Sequence, residues 1–293
     1  FPLLYEFSLR NPSVPSYKAS ALLDLINKRN PKQATAEAAL QAGMRAQLGL
    51  VVLEFPTNYA NSADDYIEKG LNHRDEWRGQ SLLSASFAPH APYTVADATF
   101  EKIVTYAEQL GLGIHTHLHE TQDEIEQSLK QYGLTPIERL SQLGVLGPNL
   151  TAAHGVHMKN EEIEQLQAHG CSLAHCVSSN LKLASGMAPI QKMLNAGVNV
   201  GLGTDGAASN NRQDMFTEMR TAALVAKGLH NDVSSVPAWQ ALEMATINGS
   251  KALGLENQIG SIEVGKLADL TAVKLSDIEA LPCFDPLSHL VYV

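Results

Sequence analysis

The chain has 293 residues, room for one large domain or two smaller ones at roughly 150 residues each. Apolar residues make up 44% and charged residues 18%, and no long charge run occurs, so disorder is excluded. Acids outnumber bases 31 to 21, for a formal charge of −10, which argues against a nucleic-acid backbone or an anionic membrane as the main partner.

Three cysteines, Cys171, Cys176 and Cys283, form no C-x-x-C, so neither a disulfide framework nor a structural zinc finger is expected. No apolar run reaches the ~18 residues of a membrane-spanning helix. The opening Phe1-Pro2-Leu3-Leu4-Tyr5-Glu6 has no initiating Met and no basic segment. It reads as the interior of a longer chain rather than a signal peptide, which sets a cytoplasmic location as the expectation.

The first ~40 residues, with Asn11-Pro12, Val14-Pro15 and Asn30-Pro31, show little periodicity. From about residue 44 one unit recurs: a short apolar run, a turn, an amphipathic helical stretch. The runs are Met44–Leu53, Leu82–Ala88, Gly113–Leu118, Leu150–Ala153, Cys171–His175 and Val198–Gly203. The helical stretches are Ala63–Trp77, Val95–Leu110, Gln122–Gln131, Thr135–Leu143, Glu161–His169, Pro189–Ala196 and Gln213–Lys227. Thr135 and Glu138 have the spacing of a capping box. Trp77 and Trp239 fall in helical patterns and read as packing residues. Continuous apolar strands alternating with helices predict a parallel sheet covered on both faces. Six units suit a (β/α) barrel or a doubly wound sheet, and no glycine-rich phosphate motif follows the first strand. After Gly254 the character changes: Ile259–Lys266 and Ala268–Val273 read as a turn and an extended strand.

The chemistry gathers where these strands end. Seven of the eleven histidines lie between 115 and 175. His90 follows the second run. His115, His117 and His119 close the third, with Glu120 next. His154 follows the fourth, His175 ends the fifth, and Asp205 follows the sixth. The carboxyl ends of parallel strands are where sites form. Residues two apart in a strand share a face, so 115, 117 and 119 are expected to align. Neutral imidazoles suit zinc or iron, and a carboxylate such as Asp205 can complete a set. A hydrogen-bonded core or rim histidine is the alternative for each of them singly, and a turn or helix cap is the alternative for Asp205. His119-Glu120 continues Thr-Gln-Asp, which excludes H-E-x-x-H. Asn180-Leu181-Lys182 reads as a polar loop after His175, and Cys176 as a buried structural thiol.

Several motifs occur in order: Phe87-Ala-Pro-His90-Ala-Pro-Tyr93, His117-Leu-His-Glu120-Thr121, Ala152-Ala-His154-Gly-Val-His157 and Ser179-Asn-Leu-Lys-Leu-Ala-Ser-Gly186. Gly203-Thr-Asp205-Gly-Ala-Ala-Ser-Asn-Asn211 follows, and Ile259-Gly-Ser-Ile-Glu-Val-Gly-Lys266-Leu-Ala-Asp269-Leu closes the series. On these the sequence resembles the amidohydrolase superfamily, in its methylthioadenosine/S-adenosylhomocysteine deaminase and triazine hydrolase branch, over residues 43 to 293. The resemblance implies an α/β fold, a (β/α)8 TIM barrel of the metal-dependent hydrolase type, with a small β-sandwich built from both chain ends. Residues 1–255 are then the barrel and 256–293 part of the sandwich. It implies one divalent metal, Zn2+ ahead of Fe2+, with His117 and Asp205 as ligands. Glu120 becomes the proton shuttle, His154 the residue that orients the attacking water, and Asp205 a base as well as a ligand. His90, Glu120 and His154 become substrate contacts, and the role of His175 stays open. The implied reaction is hydrolytic deamination of an adenine nucleoside, 5′-methylthioadenosine ahead of S-adenosylhomocysteine, by a homo-oligomer.

Two features depart from the family. Its first strand carries an H-x-H pair supplying two ligands, and no histidine precedes Gly43-Met-Arg45. The chain is therefore read as lacking its first barrel strands and half of its metal shell. Leu50 stands near the place where some members carry an arginine for an amino-acid carboxylate, which favours methylthioadenosine. The competing readings are hydrolysis of another heterocycle (chlorotriazine, guanine or pterin) and an inactive, metal-poor homologue or fragment.

Overall fold

The computed structural model describes residues 31–293, apart from a few side chains. Six strands form one parallel sheet in chain order: β1 (Ala46–Val52), β2 (Leu83–Pro89), β3 (Gly113–Leu118), β4 (Leu150–His154), β5 (Ser172–His175) and β6 (Asn199–Leu202). Strictly sequential neighbours with helices between them are the order of a (β/α) barrel, here with β1 and β6 as edges among the described residues. Six described strands in this order fit the expected (β/α) barrel class.

The helices are α1 (Pro31–Ala42), α2 (Ala63–Glu76), α3 (Asp97–Leu110), α4 (Gln122–Tyr132), α5 (Pro136–Gln142), α6 (Asn160–Ala168), α7 (Val177–Lys182), α8 (Ile190–Asn195), α9 (Met215–His230), α10 (Ala238–Ala245), α11 (Ile247–Ala252) and α12 (Pro286–Tyr292). Their starts are written in the sequence. Ser62, Thr121 and Asp214 cap α2, α4 and α9 by accepting backbone N–H bonds, and Thr135 with Glu138 closes the expected capping box on α5. Buried Leu50, Phe87, Ile114, Leu150, Leu173 and Val200 of the strands pack with Phe100, Ile103, Leu140, Leu166 and Met219 of the helices in one core. Burial on this scale is the main stabilising term, at ~25 cal/mol per Å2 of apolar surface.

Three expectations need correction. The stretch from Val177 is a helix, α7, not a loop. Residues 268–273 pair with no strand among the described residues; an ion pair from Arg45 Nε to Asp269 at 2.9 Å ties them beside β1. Trp239 is 52% exposed, so it is no core residue in this structure. Helix α1 occupies part of the segment that shows little periodicity, and the Pro-containing stretch before it lies outside the described residues. The terminal helix α12 packs on α9 and α10. No helix among the described residues is long and apolar enough to cross a membrane.

Buried Arg139 of α5 shapes the loop that carries His90. Its guanidinium donates to the carbonyls of Pro92 and Val95, pairs with Asp97 at 2.6 Å and lies 4.0 Å over the Tyr132 ring. Charged hydrogen bonds of this kind are worth ~1.5–3 kcal/mol each.

Candidate active site

The strand register sets the site. Leu118 pairs with His154 and His117 with Ala153, so the ends of β3 and β4 stand level. His90, one residue beyond β2, donates its backbone N–H to Val52, and its own carbonyl receives the His117 backbone N–H at 3.2 Å. The rings follow the backbone: His90 and His117 centroids are 4.9 Å apart, and His117 stacks on His154 at 5.3 Å and 18°. Glu120, just past β3, brings a carboxylate oxygen to 3.9 Å from His154 Nε2, and Ser185 Oγ donates to its other oxygen at 3.3 Å. Asp205 follows β6. Adjacent residues of α7 link it to His154: Ser179 Oγ donates to Asp205 at 2.6 Å, and Asn180 Oδ1 lies 2.8 Å from His154 Nδ1. All five expected site residues thus gather at one rim.

Three rim residues other than glycine adopt left-handed backbone: His119 at φ 53°, His154 at φ 75° and Asp205 at φ 61°. Each such position costs roughly 1–3 kcal/mol and persists where surrounding contacts enforce it. Gly155, next to His154, has no such latitude for a side chain, since a Cβ there would meet Leu173 Cδ1 at 2.7 Å.

Burial sets the charges. It pushes the imidazoles of His115, His117 and His175 down to about 3, with the His154 ring adding to the effect, and it also lowers His90. Burial alone would raise Asp205. Hydrogen bonds from Ser179 Oγ at 2.6 Å, Ser209 Oγ at 2.5 Å and the Gly206 N–H at 2.7 Å outweigh it and hold the carboxyl below its ordinary range. The Cys176 thiol, fully buried, is pushed well up, which fits a structural thiol and not a nucleophile.

The donor chemistry fits a divalent cation. His117 Nδ1–H donates to the His90 carbonyl, which makes Nε2 the lone-pair nitrogen. The Asp205 carboxylate has about four lone-pair directions and accepts three hydrogen bonds, so one remains. Among the described residues no group of three or more His, Cys, Asp or Glu is placed to hold a metal ion. His117 and Asp205 together are half of a four-donor set.

His119 is a different case. It is wholly buried, its Nε2 accepts the Ile137 N–H at 3.3 Å and its Nδ1 faces the His157 carbonyl at 3.3 Å. It joins the start of α5 to the loop after β4 and is a structural histidine. His175 ends β5 and lines a cavity with Asn180, Leu181, Met187 and Ala226.

Residues to which the sequence assigns no role hold the rim. Glu124, raised to about 7 by burial, accepts the backbone N–H groups of His119 and Glu120 at 3.2 and 2.9 Å and fixes the turn that aims Glu120. Ser179, Asn180, Ser185 and Ser209 reach the site from distant positions. Ser179, Asn180, Ser185 and Ser209 lie in quoted motifs that announce no role for them, and Glu124 is marked by its place three residues after Thr121 at a helix start. Leu50 is fully buried and packs on Gly70 of α2, so it faces the helical layer and does not decide between substrates.

A model of the amidohydrolase family matches residues 22–293. The chain is 48% identical over 260 residues to 5-methylthioadenosine/S-adenosylhomocysteine deaminase of Teredinibacter turnerae, covering 89% of this chain and 59% of that protein. The enzyme of the same name from Saccharophagus degradans is 42% identical over 259 residues, covering 88% and 58%. The chain therefore spans less than two thirds of the length of these curated relatives. Among solved structures, an adenosine deaminase from Xanthomonas campestris with bound zinc superposes with a TM-score of 0.88 at 42% identity, over 94% of this chain and 65% of that one. An atrazine chlorohydrolase from Arthrobacter aurescens complexed with zinc superposes with a TM-score of 0.82 at 25% identity, over 89% and 60%.

Proposed function

This chain belongs to the amidohydrolase family, and on that premise we propose that the protein removes the 6-amino group of an adenine nucleoside by hydrolysis, with 5′-methylthioadenosine as substrate. The observation that carries the reading is the convergence of His90, His117, Glu120, His154 and Asp205 on one rim, with Glu120 3.9 Å from His154. The names of the 40–48% identical relatives favour methylthioadenosine and S-adenosylhomocysteine over triazines.

His117 and Asp205 are the proposed metal residues, and Zn2+ is the proposed ion, as in the similar zinc-bound structures. Such an ion supplies a nucleophile at neutral pH by lowering the pKa of water toward ~7. His154 Nε2 orients the attacking water. Asp205 takes up a proton. Of the water's two protons, Glu120 carries one to the ring nitrogen, where it stays, and passes the other, taken up by Asp205, to the amine as its C–N bond breaks and the ring carbonyl forms, a role worth ~10²–10⁴-fold. His90, half-buried and edge-on to Tyr93 at 6.0 Å, faces the purine. Residues 1–255 as barrel and 256–293 as part of a small sandwich complete the proposal, with the Arg45–Asp269 pair supporting a seat for the latter beside β1. Homo-oligomeric assembly rests on the family likeness, and a cytoplasmic location on the three cysteines without a disulfide framework.

The test offers the metal-loaded full-length protein 5′-methylthioadenosine, S-adenosylhomocysteine, adenosine, guanine and atrazine, and follows ammonia. Ammonia from the adenine nucleosides, fastest from methylthioadenosine, is the expected result. Release from guanine alone, or chloride from atrazine, selects the other heterocycle reading.

A further inference from the structure

Helix α7 follows β5 but serves its neighbours. Two adjacent residues on it reach two different strand ends. Ser179 Oγ donates to Asp205 beyond β6 at 2.6 Å, and Asn180 Oδ1 lies 2.8 Å from His154 Nδ1 at the end of β4. Ser179, Asn180 and His154 are all at most 1% exposed. The helix is itself held on several sides. The Ser178 N–H donates to buried Glu218 of α9 at 3.2 Å, and Lys182 Nζ donates to the Ala208 carbonyl at 2.7 Å and to Asn211 Oδ1 at 2.6 Å. Glu218 also receives Asn210 Nδ2 at 2.7 Å, which ties the loop after Asp205 to the same brace.

A histidine's working nitrogen is set by what its other nitrogen touches. An amide oxygen accepts and cannot donate, so a ring facing it must carry its proton on Nδ1. We propose that Asn180 is a positioning residue: its amide oxygen fixes His154 as the Nδ1–H tautomer, so that Nε2 faces Glu120 as an acceptor. The inference rests on the deaminase reading for its catalytic meaning, and the tautomer rests on the end of the Asn180 amide that faces the ring. A reversed amide would donate to Nδ1 and put the proton on Nε2, where His154 no longer accepts one. Ser179 does the matching task for Asp205, so one turn of helix sets the separation of two reacting groups that are 51 positions apart.

The test uses the metal-loaded full-length protein with 15N-labelled histidine. Wild type is expected to show His154 with Nδ1 protonated and Nε2 bare. Asn180→Leu keeps the volume and removes the acceptor. It is expected to lower kcat for 5′-methylthioadenosine by ~10²-fold with KM within about threefold, and to show mixed tautomers. Asn180→Asp keeps an acceptor and is expected to recover most of kcat. A wild-type signal with the proton on Nε2, or an Asn180→Leu enzyme with unchanged kcat, overturns the proposal. Where Asn180→Leu fails to fold, the wild-type spectrum decides. A wild type that deaminates no adenine nucleoside sinks the parent reading, and the spectrum still decides the tautomer.

Discussion

Glu120→Gln is expected to lower kcat for 5′-methylthioadenosine by ~10²–10⁴-fold and to leave KM within about threefold. The substitution changes little else. Glutamine has nearly the same shape, still accepts from Ser185 Oγ, and keeps its backbone N–H on Glu124. The turn that aims the side chain is therefore untouched, and only the capacity to carry a proton is lost. A general acid acts in the transition state and contributes little to binding, which is why the loss falls on kcat. Retention of kcat within about threefold would remove Glu120 from the proton path. A rise in KM at constant kcat would make it a binding residue instead.

Mild acid is expected to destabilise the protein. His115, His117 and His175 have folded values near 3 because burial excludes the charged ring, against ~6.5 in an unfolded chain. Below pH ~6.5 the unfolded state takes up protons that the folded state refuses. Each histidine then withdraws ~1.4 kcal/mol of stability per pH unit until pH nears the folded value. Their contribution is complete above the unfolded value and is lost as pH falls. Glu124 and Glu218, raised by burial, bind protons on folding and act in the opposite sense. His90 and His119, lowered by the same cause, act with the three imidazoles, so a net loss on the order of 1–2 kcal/mol per pH unit remains. Against a total of ~5–15 kcal/mol, that moves a urea midpoint visibly between about pH 7 and about pH 5. A bound cation competes with the same protons and steepens the fall. A midpoint that stays flat, or rises, would show that these rings are solvated.

The strands were legible because parallel strands buried on both faces read as continuous apolar runs, and Gly113–Leu118 and Leu150–His154 differ from their expected bounds by at most one residue. The rim was legible for the same reason: the sequence marks where each run stops, and a polar residue stands there. Helix α1 was not, since its Ala-rich TAEAALQA stretch carries almost no amphipathic contrast. Helix α7 was not, because Val-Ser-Ser-Asn has weak helix propensity and is held by contacts to Glu218, Ala208 and Asn211 that no local pattern announces. Asn180 and Ser179 each sit 26 positions from the group they hold, so spacing carries no trace of them. Residues 268–273 looked like a strand, but strand propensity makes a strand only with a partner, and none stands beside them among the described residues.

The central claim is that water displaces an amino group at the rim shared by Glu120, His154 and Asp205. The most direct measurement incubates the metal-loaded full-length protein with 5′-methylthioadenosine in heavy-oxygen water and weighs the product by mass spectrometry. The account predicts one heavy oxygen on the purine ring for each ammonia released. Ammonia without heavy oxygen on the ring, or an unchanged nucleoside, would contradict it.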